Sequence, residues 1–502
     1  MRKATMLFLA GLLAATAAAA GPYGRGQVVV GPYLTRLGAD CVSISWRTKW
    51  LTEGWAEVEL PSGERRLQGS SGRRHFHRVT FAGLPANTRC SYRLVVDGEA
   101  GPAYSFATGP RDGRRFRFAT YGDTQDGPGA HRRIAEAIRS HRPAFVVHTG
   151  DFVEHGGEAS QWFSRFFRPA GPLLREAGLV PAMGNREAGS PDFCRYFGLP
   201  PEATWYAWTY GSVDFFVLDS NRPVAPGSPQ HAWLRRALKA SRATWKVVAC
   251  HHPLYSGGRH GGDADLRQHL LPLLWEHGVD LVCVGHDHIY ERTRPIGTGG
   301  EPWRNAFVQI VSGGGGADLY EVVPGPWTAH AASRHNFTIV DVSPDRMVVT
   351  AYTDANKAFD RVCLRRPRSR REPGDAVAAE ALEFLLSAKQ IADLRFPHGG
   401  RKAHTEQFRL TVANPSPSEL RGRIDWHIRH DAWTVAPARR TVRVPPGGKA
   451  ELEFVARLGD PPRGNLAELV PLATLSTNGH SITVPAFLPE ARGLPIGRLG
   501  RR

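Results

Sequence analysis

Residues 279–288, VDLVCVGHDH, decide the reading of this chain. Leu281 to Val284 is a short apolar run of the kind a buried strand makes, and it stops at Gly285. Beyond the glycine stand His286, Asp287 and His288. One tight turn at a strand end thus offers two imidazoles, a way of supplying ligands to adjacent metal ions. In a chain with 21 histidines such a pair is weak on its own. Four earlier apolar runs end on matching chemistry: YGD at Asp123, HTGD at Asp151, MGN at Asn185 and ACHH at His251. Each alone reads more simply as a capping carboxylate, a turn asparagine or a core-edge histidine. Together, on strands alternating with helical patterns, they describe ligands gathered along the carboxyl edge of one sheet.

Outward from these strand ends the pattern is α/β. Phe116–Tyr121, Phe145–His148, Leu179–Met183 and Lys246–Ala249 read as strands, and His131–Ser140, Gln230–Ala240 and Leu266–His277 as helices. Ala159 to Phe167 is an amphipathic stretch. Trp205–Tyr210 and Val213–Leu218 suggest a hairpin opening a second sheet. Phe307–Val311, Phe337–Val342 and Met347–Thr353 are expected to complete it. Before this region, VSISWRT, AEVEL, HRVTF, CSYRLVV and AYSFATG alternate with period two, as in a small β-sandwich. After it, the basic run RRPRSRR reads as a linker. A helix is expected at Ala376–Ala388, then further β-rich runs such as FRLTVAN and GRIDWHI, and the tail GLPIGRLGRR.

The ordered series GD, GD, GN, H-x-P and GHDH resembles the calcineurin-like metallophosphoesterases. CHHPLYSGG, GHDHIYER and the following SGGGGA look most like the purple acid phosphatase branch, and the likeness runs from about Gly31 to Thr353. It implies a two-sheet α/β/β/α sandwich at 114–364. A fibronectin III-like β-sandwich would precede it at 25–112. A basic linker at 365–375, an Ig-like β-sandwich at 376–490 and a disordered tail at 491–502 would follow. It also implies two metal ions, iron with zinc, manganese or iron. Asp123 and His288 would hold the first, Asp151 would bridge, and Asn185, His251 and His286 would hold the second. Two cations about 3.5–4 Å apart neutralise phosphoryl oxygens and make hydroxide available near neutral pH. His252 matches a position that holds no metal and is left out.

Three positions depart from the pattern. Gln125 stands where many relatives carry a ligating histidine, and is expected, like Asp287, to orient the ligands without binding metal. Glu154 replaces the tyrosine whose bond to ferric iron colours the namesake enzymes, and is expected to face solvent or an arginine. Arg186 replaces a histidine near the leaving oxygen. It is either a bidentate phosphate clamp or the partner of Glu187 or Asp192. The proton donor is then expected to be His260, in the glycine-rich loop SGGRHGG, nine residues past His251 at a place where relatives carry a substrate-side histidine. Residues 254–262 read otherwise as a plain exposed connection.

Composition sets the remaining bounds. At 502 residues the chain exceeds one core. Its net charge of +17 comes mostly from scattered arginine, which suits a phosphorylated small-molecule substrate and disfavours nucleic acid as a partner. Arg2 and Lys3, the apolar run Met6 to Leu13, and Ala18-Ala19-Ala20 read as a secretory signal over 1–20, so a secreted or periplasmic protein is expected. No other stretch approaches the length of a membrane span. In such a compartment Cys41 and Cys90 are expected to pair, and Cys250 and Cys283 to be buried thiols. The expected activity is hydrolysis of phosphate monoesters. The alternatives are a nucleotide phosphodiesterase and a non-catalytic binding protein of the same fold. Oligomeric state is not legible.

Overall fold

In the computed structural model the described residues are 28–366 (without 112 and 298–304) and 404–459 (without 415–418 and 429–432). Short strands at 377–378, 395–396, 472–477, 480–485 and 488–489 are also described. The expected signal at 1–20, the run 367–371, the tail 491–502 and most of the helix expected at 376–388 lie outside them.

Two sheets face each other. The first contains, side by side, Asn336–Val342, Phe116–Tyr121, Phe145–His148 and Gly178–Pro181. The second runs Tyr206–Tyr210, Val213–Val217, Trp245–Ala249, Leu281–Val284 and Val308–Ser312, and continues to Tyr290–Thr293 and Thr328–Ala332. Phe118, Phe145, Phe215, Val247, Leu281 and Ile310 form the shared layer between them. The outer face of the first sheet is covered through Ile134, Ile138, Trp162 and Phe166. That of the second is covered through Leu234, Leu238, Leu270 and Leu274. Strands buried on both faces read as continuous apolar runs, as Leu281–Val284 does. The amphipathic stretch becomes a short α-turn followed by a π-helical turn, Trp162–Phe167, with Trp162, Phe166 and Phe167 buried.

Four findings differ from the sequence expectations. Asn336–Val342 joins the first sheet antiparallel to Phe116–Tyr121, Arg346–Thr353 follows antiparallel to Asn336–Val342, and neither completes the second. Both faces of Asn336–Val342 are buried, so its pattern carried no information on which sheet it joins. Val377–Ala378 is a strand beside Ile296–Gly297, where a helix was expected; tertiary pairing overrides local preference there. Cys41 and Cys90 do not pair: Cys41 Sγ contacts the Arg36 carbonyl, while Cys90 is buried in the inner layer. Finally, Val28–Thr35 lies parallel to Gly178–Pro181 (Leu34 opposite Gly178), and the N-terminal strands continue from it. The first sheet therefore crosses the boundary drawn at 112–114. Trp46, Val58 and Tyr92 share the inner layer with Phe118 and Phe145.

Further along, His404–Ala413 with Lys449–Leu458 and Trp433–Ala436 form one antiparallel sheet. Arg439–Val444, Leu420–His427, Leu472–Thr477 and His480–Pro485 form another. Phe408, Ile424, Trp426 and Phe454 lie in one core that the two sheets share.

Candidate metal centre

Asp123, Asp151 and Asn185 follow strands of the first sheet; His251, His286 and His288 follow strands of the second. The parallel order sets all these carboxyl ends along one edge. Three of the six sit in the left-handed backbone region, Asp123 at φ 61°, Asp151 at φ 54° and His286 at φ 69°. Few residues other than glycine occupy that region, and residues held there cluster at functional sites. The glycines that precede Asp123, Asp151, Asn185 and His286 have a packing reason. A Cβ on Gly184 would lie 2.1 Å from the Asp151 nitrogen, and one on Gly285 would lie 2.4 Å from Asp123 Oδ2. The ligand loops rest directly on one another.

The donor atoms converge. One ligand atom each from Asp123, Asp151 and His251 lie within 4.8 Å of one another, as do those of His251, His252 and His286. His251 Nδ1 donates to the Thr149 carbonyl at 2.9 Å, so its Nε2 carries a lone pair. That lone pair faces Asn185 Oδ1 at 2.9 Å and Asp151 Oδ1 at 3.4 Å, with His286 Nδ1 3.1 Å away. Acceptors crowded this way are reconciled by a cation. His288 repeats the arrangement: Nδ1 donates to the Asp318 carbonyl at 2.6 Å, leaving Nε2 to face Asp123 Oδ1 at 3.8 Å. Gln125 Nε2 approaches the same His288 nitrogen at 3.1 Å, while its Oε1 is buried without a hydrogen-bond partner. The donor set fits metal cations: His251 belongs to both clusters, and the Gln125 amide stands beside His288. Carbonyls that fix the imidazole tautomers are the usual outer support of such sites.

Electrostatics point the same way. Burial, then Asp151, push the Asp123 carboxyl well above its ordinary range; burial lifts Asp151 to about 6. Burial, with His251 next, drives His286 down to about 2, and burial also depresses His251 and His288. A cluster in which burial opposes charge on every member is stabilised by cations brought among its carboxylates.

Arg186 pairs with neither Glu187 nor Asp192. Its Nη1 meets Glu154 Oε1 at 2.5 Å and its Nε lies 3.9 Å from Asp151 Oδ2. Two of the three family departures are thus partners. With Nη1 and Nε so placed, the expected bidentate grip on phosphate reduces to what Nη2 can offer. Glu187 is fully buried and accepts the backbone N–H groups of Asp151, Phe152, Val153 and Gly184 at 2.9–3.2 Å. It anchors the Asp151 loop, a role missed because a charged residue beside Arg186 reads as a surface partner. Asp287 accepts from Ser256 Oγ (2.5 Å) and the His260 nitrogen (2.9 Å), so it ties the glycine-rich loop to the ligand turn. The His260 ring lies 4.5 Å from that of His286, so the loop does border the centre. His252, left out from sequence, reaches the cluster with Nδ1 bonded to Ser220 Oγ at 2.8 Å. Tyr320 stacks on His288 at 4.1 Å; nothing in DLY signalled it. Tyr121 bonds His131 and Tyr255 packs on Trp327.

The sequence pattern of the calcineurin-like phosphoesterases matches residues 116–290. An uncharacterized protein of Mycobacterium tuberculosis is 27% identical over 267 residues, covering 42% of this chain and 50% of that protein. "Probable inactive purple acid phosphatase 9" of Arabidopsis thaliana is 27% identical over 232 residues, 37% of this chain and 36% of its own. The match thus spans half or less of these two relatives. A nucleotide pyrophosphatase/phosphodiesterase of Hordeum vulgare is 25% identical over 320 residues, 55% of this chain and 83% of its own. In fold, the purple acid phosphatase PPD1 of yellow lupin seeds superposes with a TM-score of 0.59 at 19% identity, over 69% of this chain and 76% of its own. Residues 116–290 thus match the calcineurin-like phosphoesterase domain, and purple acid phosphatases are among the proteins the chain resembles.

Proposed function

We propose that the protein is a secreted, two-metal phosphoesterase acting on phosphate monoesters. The observation that carries this reading is the convergence of unprotonated His251 Nε2 and His288 Nε2 with Asp123, Asp151 and Asn185. Bound there, two cations would neutralise the phosphoryl oxygens and favour ionisation of the attacking water. The chain's own groups do the rest. Asp151 joins the two halves of the site, and Glu187 fixes the loop that carries it. Arg186, steadied by Glu154, turns its remaining N–H edge to the phosphoryl group. His260 protonates the leaving oxygen.

Secretion is supported by the residues 1–20 pattern, with Gly21 expected as the mature N-terminus. The β-strands before and after the catalytic domain are read as fibronectin III-like and Ig-like, with scaffolding or binding roles. The name of the barley relative favours a second reading, hydrolysis of nucleotide diesters. The test is metal-reconstituted protein assayed on 4-nitrophenyl phosphate and bis(4-nitrophenyl) phosphate in parallel. Preference for the monoester supports the proposal and preference for the diester supports the second reading. Protein that stays inert with iron, zinc and manganese would leave a binding role.

A further inference from the structure

A cleft of about 740 Å³ opens on the first sheet, at the end of Phe116–Tyr121 opposite the metal ligands. That six-residue strand, at about 3.3 Å per residue, sets the cleft roughly 20 Å from Asp123. Arg117, Asp341, Val348 and Cys363 form one row across four neighbouring strands. Two rows along, on the same face, Arg346 stands directly opposite Arg365. Like charges directly opposite one another repel.

The charge balance is one-sided. Five arginines line the cleft, at 115, 117, 346, 361 and 365, against a single carboxylate, Asp341. Asp341 is taken by Arg117 at 2.7 Å. Asp345, whose carboxylate also feels Arg346 and Arg115, is exposed and accepts from Ser343 Oγ at 2.7 Å. Arg115, Arg346 and Arg361 make no ion pair with a carboxylate among the described residues. Guanidinium groups present planar pairs of donors that match phosphate oxygens. Val348 is the apolar side chain on this face, its neighbours Phe116, Val342 and Val362 turning to the inner layer.

We propose that this cleft is a second anion site, for a small compound carrying a multivalent phosphate group, separate from the metal centre. The chain holds its own reporter: Cys363 lines the cleft and is the exposed one of the six cysteines. The probe is methylenediphosphonate, which is not hydrolysed, added to the metal-loaded full chain, with sodium chloride at equal ionic strength as the comparison. The expected result is that the probe slows iodoacetamide alkylation of Cys363, read by peptide mass, and chloride does not. The variant R346Q/R361Q should lose this protection and bind the probe at this site about tenfold more weakly or worse. Calorimetry should then count one equivalent fewer than in the wild type. Its hydrolysis of 4-nitrophenyl phosphate should stay within about twofold of wild type, the residues being remote from the centre. An alkylation rate indifferent to the probe, or slowed equally by chloride, overturns the proposal, as does protection that survives in the variant. Should the variant not fold, the footprint on the unaltered chain decides alone.

Discussion

Glu291 is a wholly buried carboxyl on strand Tyr290–Thr293, and its ionisation weighs on the fold. It accepts the Gly257 N–H at 2.7 Å, Trp327 Nε1 at 3.0 Å and the Thr328 hydroxyl. Burial, the largest influence, pushes the carboxyl from its ordinary 4.5 up to about 7, against the pull of those hydrogen bonds. Between these values the unfolded chain has lost the proton and the folded chain keeps it. The folded state therefore binds more protons, and stability falls as pH rises. It is fully present below about pH 4.5 and lost by about pH 7. A rise of that size, at about 1.4 kcal/mol per pH unit, comes to about 3 kcal/mol. Glu291→Gln cannot titrate. Urea unfolding of metal-loaded wild type and variant from pH 4.5 to 8 should show the gap moving toward the variant by about 3 kcal/mol. Curves that stay parallel across that range would refute the reasoning, because the carboxyl would then titrate alike in both states.

Asp151→Ala should abolish hydrolysis and lower the metal content measured by mass spectrometry, since in the proposed site this one residue serves both cations; full metal content with a near-normal rate would remove it from that role. The iron-loaded protein should show no intense visible band, because Glu154 stands three residues past Asp151 and is held by Arg186. A strong band would mean that a tyrosine has reached the metal. His260→Ala should slow alkyl phosphates by about 10²–10⁴-fold and nitrophenyl phosphate far less, as a nitrophenolate leaves without a proton. Equal losses would point to substrate binding. Arg186→Ala should mainly raise KM, and a fall in kcat alone would contradict the clamp.

The candidate site was legible because its chemistry is punctuated: all its residues but His288 follow a glycine or end an apolar run, and chain order fixes which strand end meets which. Three kinds of information were not. Glu187 and Asp287 act on backbone N–H groups that sequence does not display, so their roles emerge only when loops are stacked. The Arg186–Glu154 pair joins residues 32 apart on different loops, and local charge pattern favoured nearer partners. Asn336–Val342 is apolar on both faces, and such a strand fits either sheet. Pairing with Ile296–Gly297 likewise decided Val377–Ala378 against the helix expected from the sequence.

The parallel contact between Val28–Thr35 and Gly178–Pro181 bears on how the molecule can be cut. A catalytic fragment begun at residue 114 would bare the open backbone of Gly178–Pro181, the strand that runs directly into the loop carrying Asn185. Exposed strand edges recruit other edges, so such a fragment should self-associate and bind metal poorly, while a chain begun at residue 28 should stay monodisperse. The N-terminal strands are in this sense a buttress: they finish the sheet on which one half of the metal centre stands.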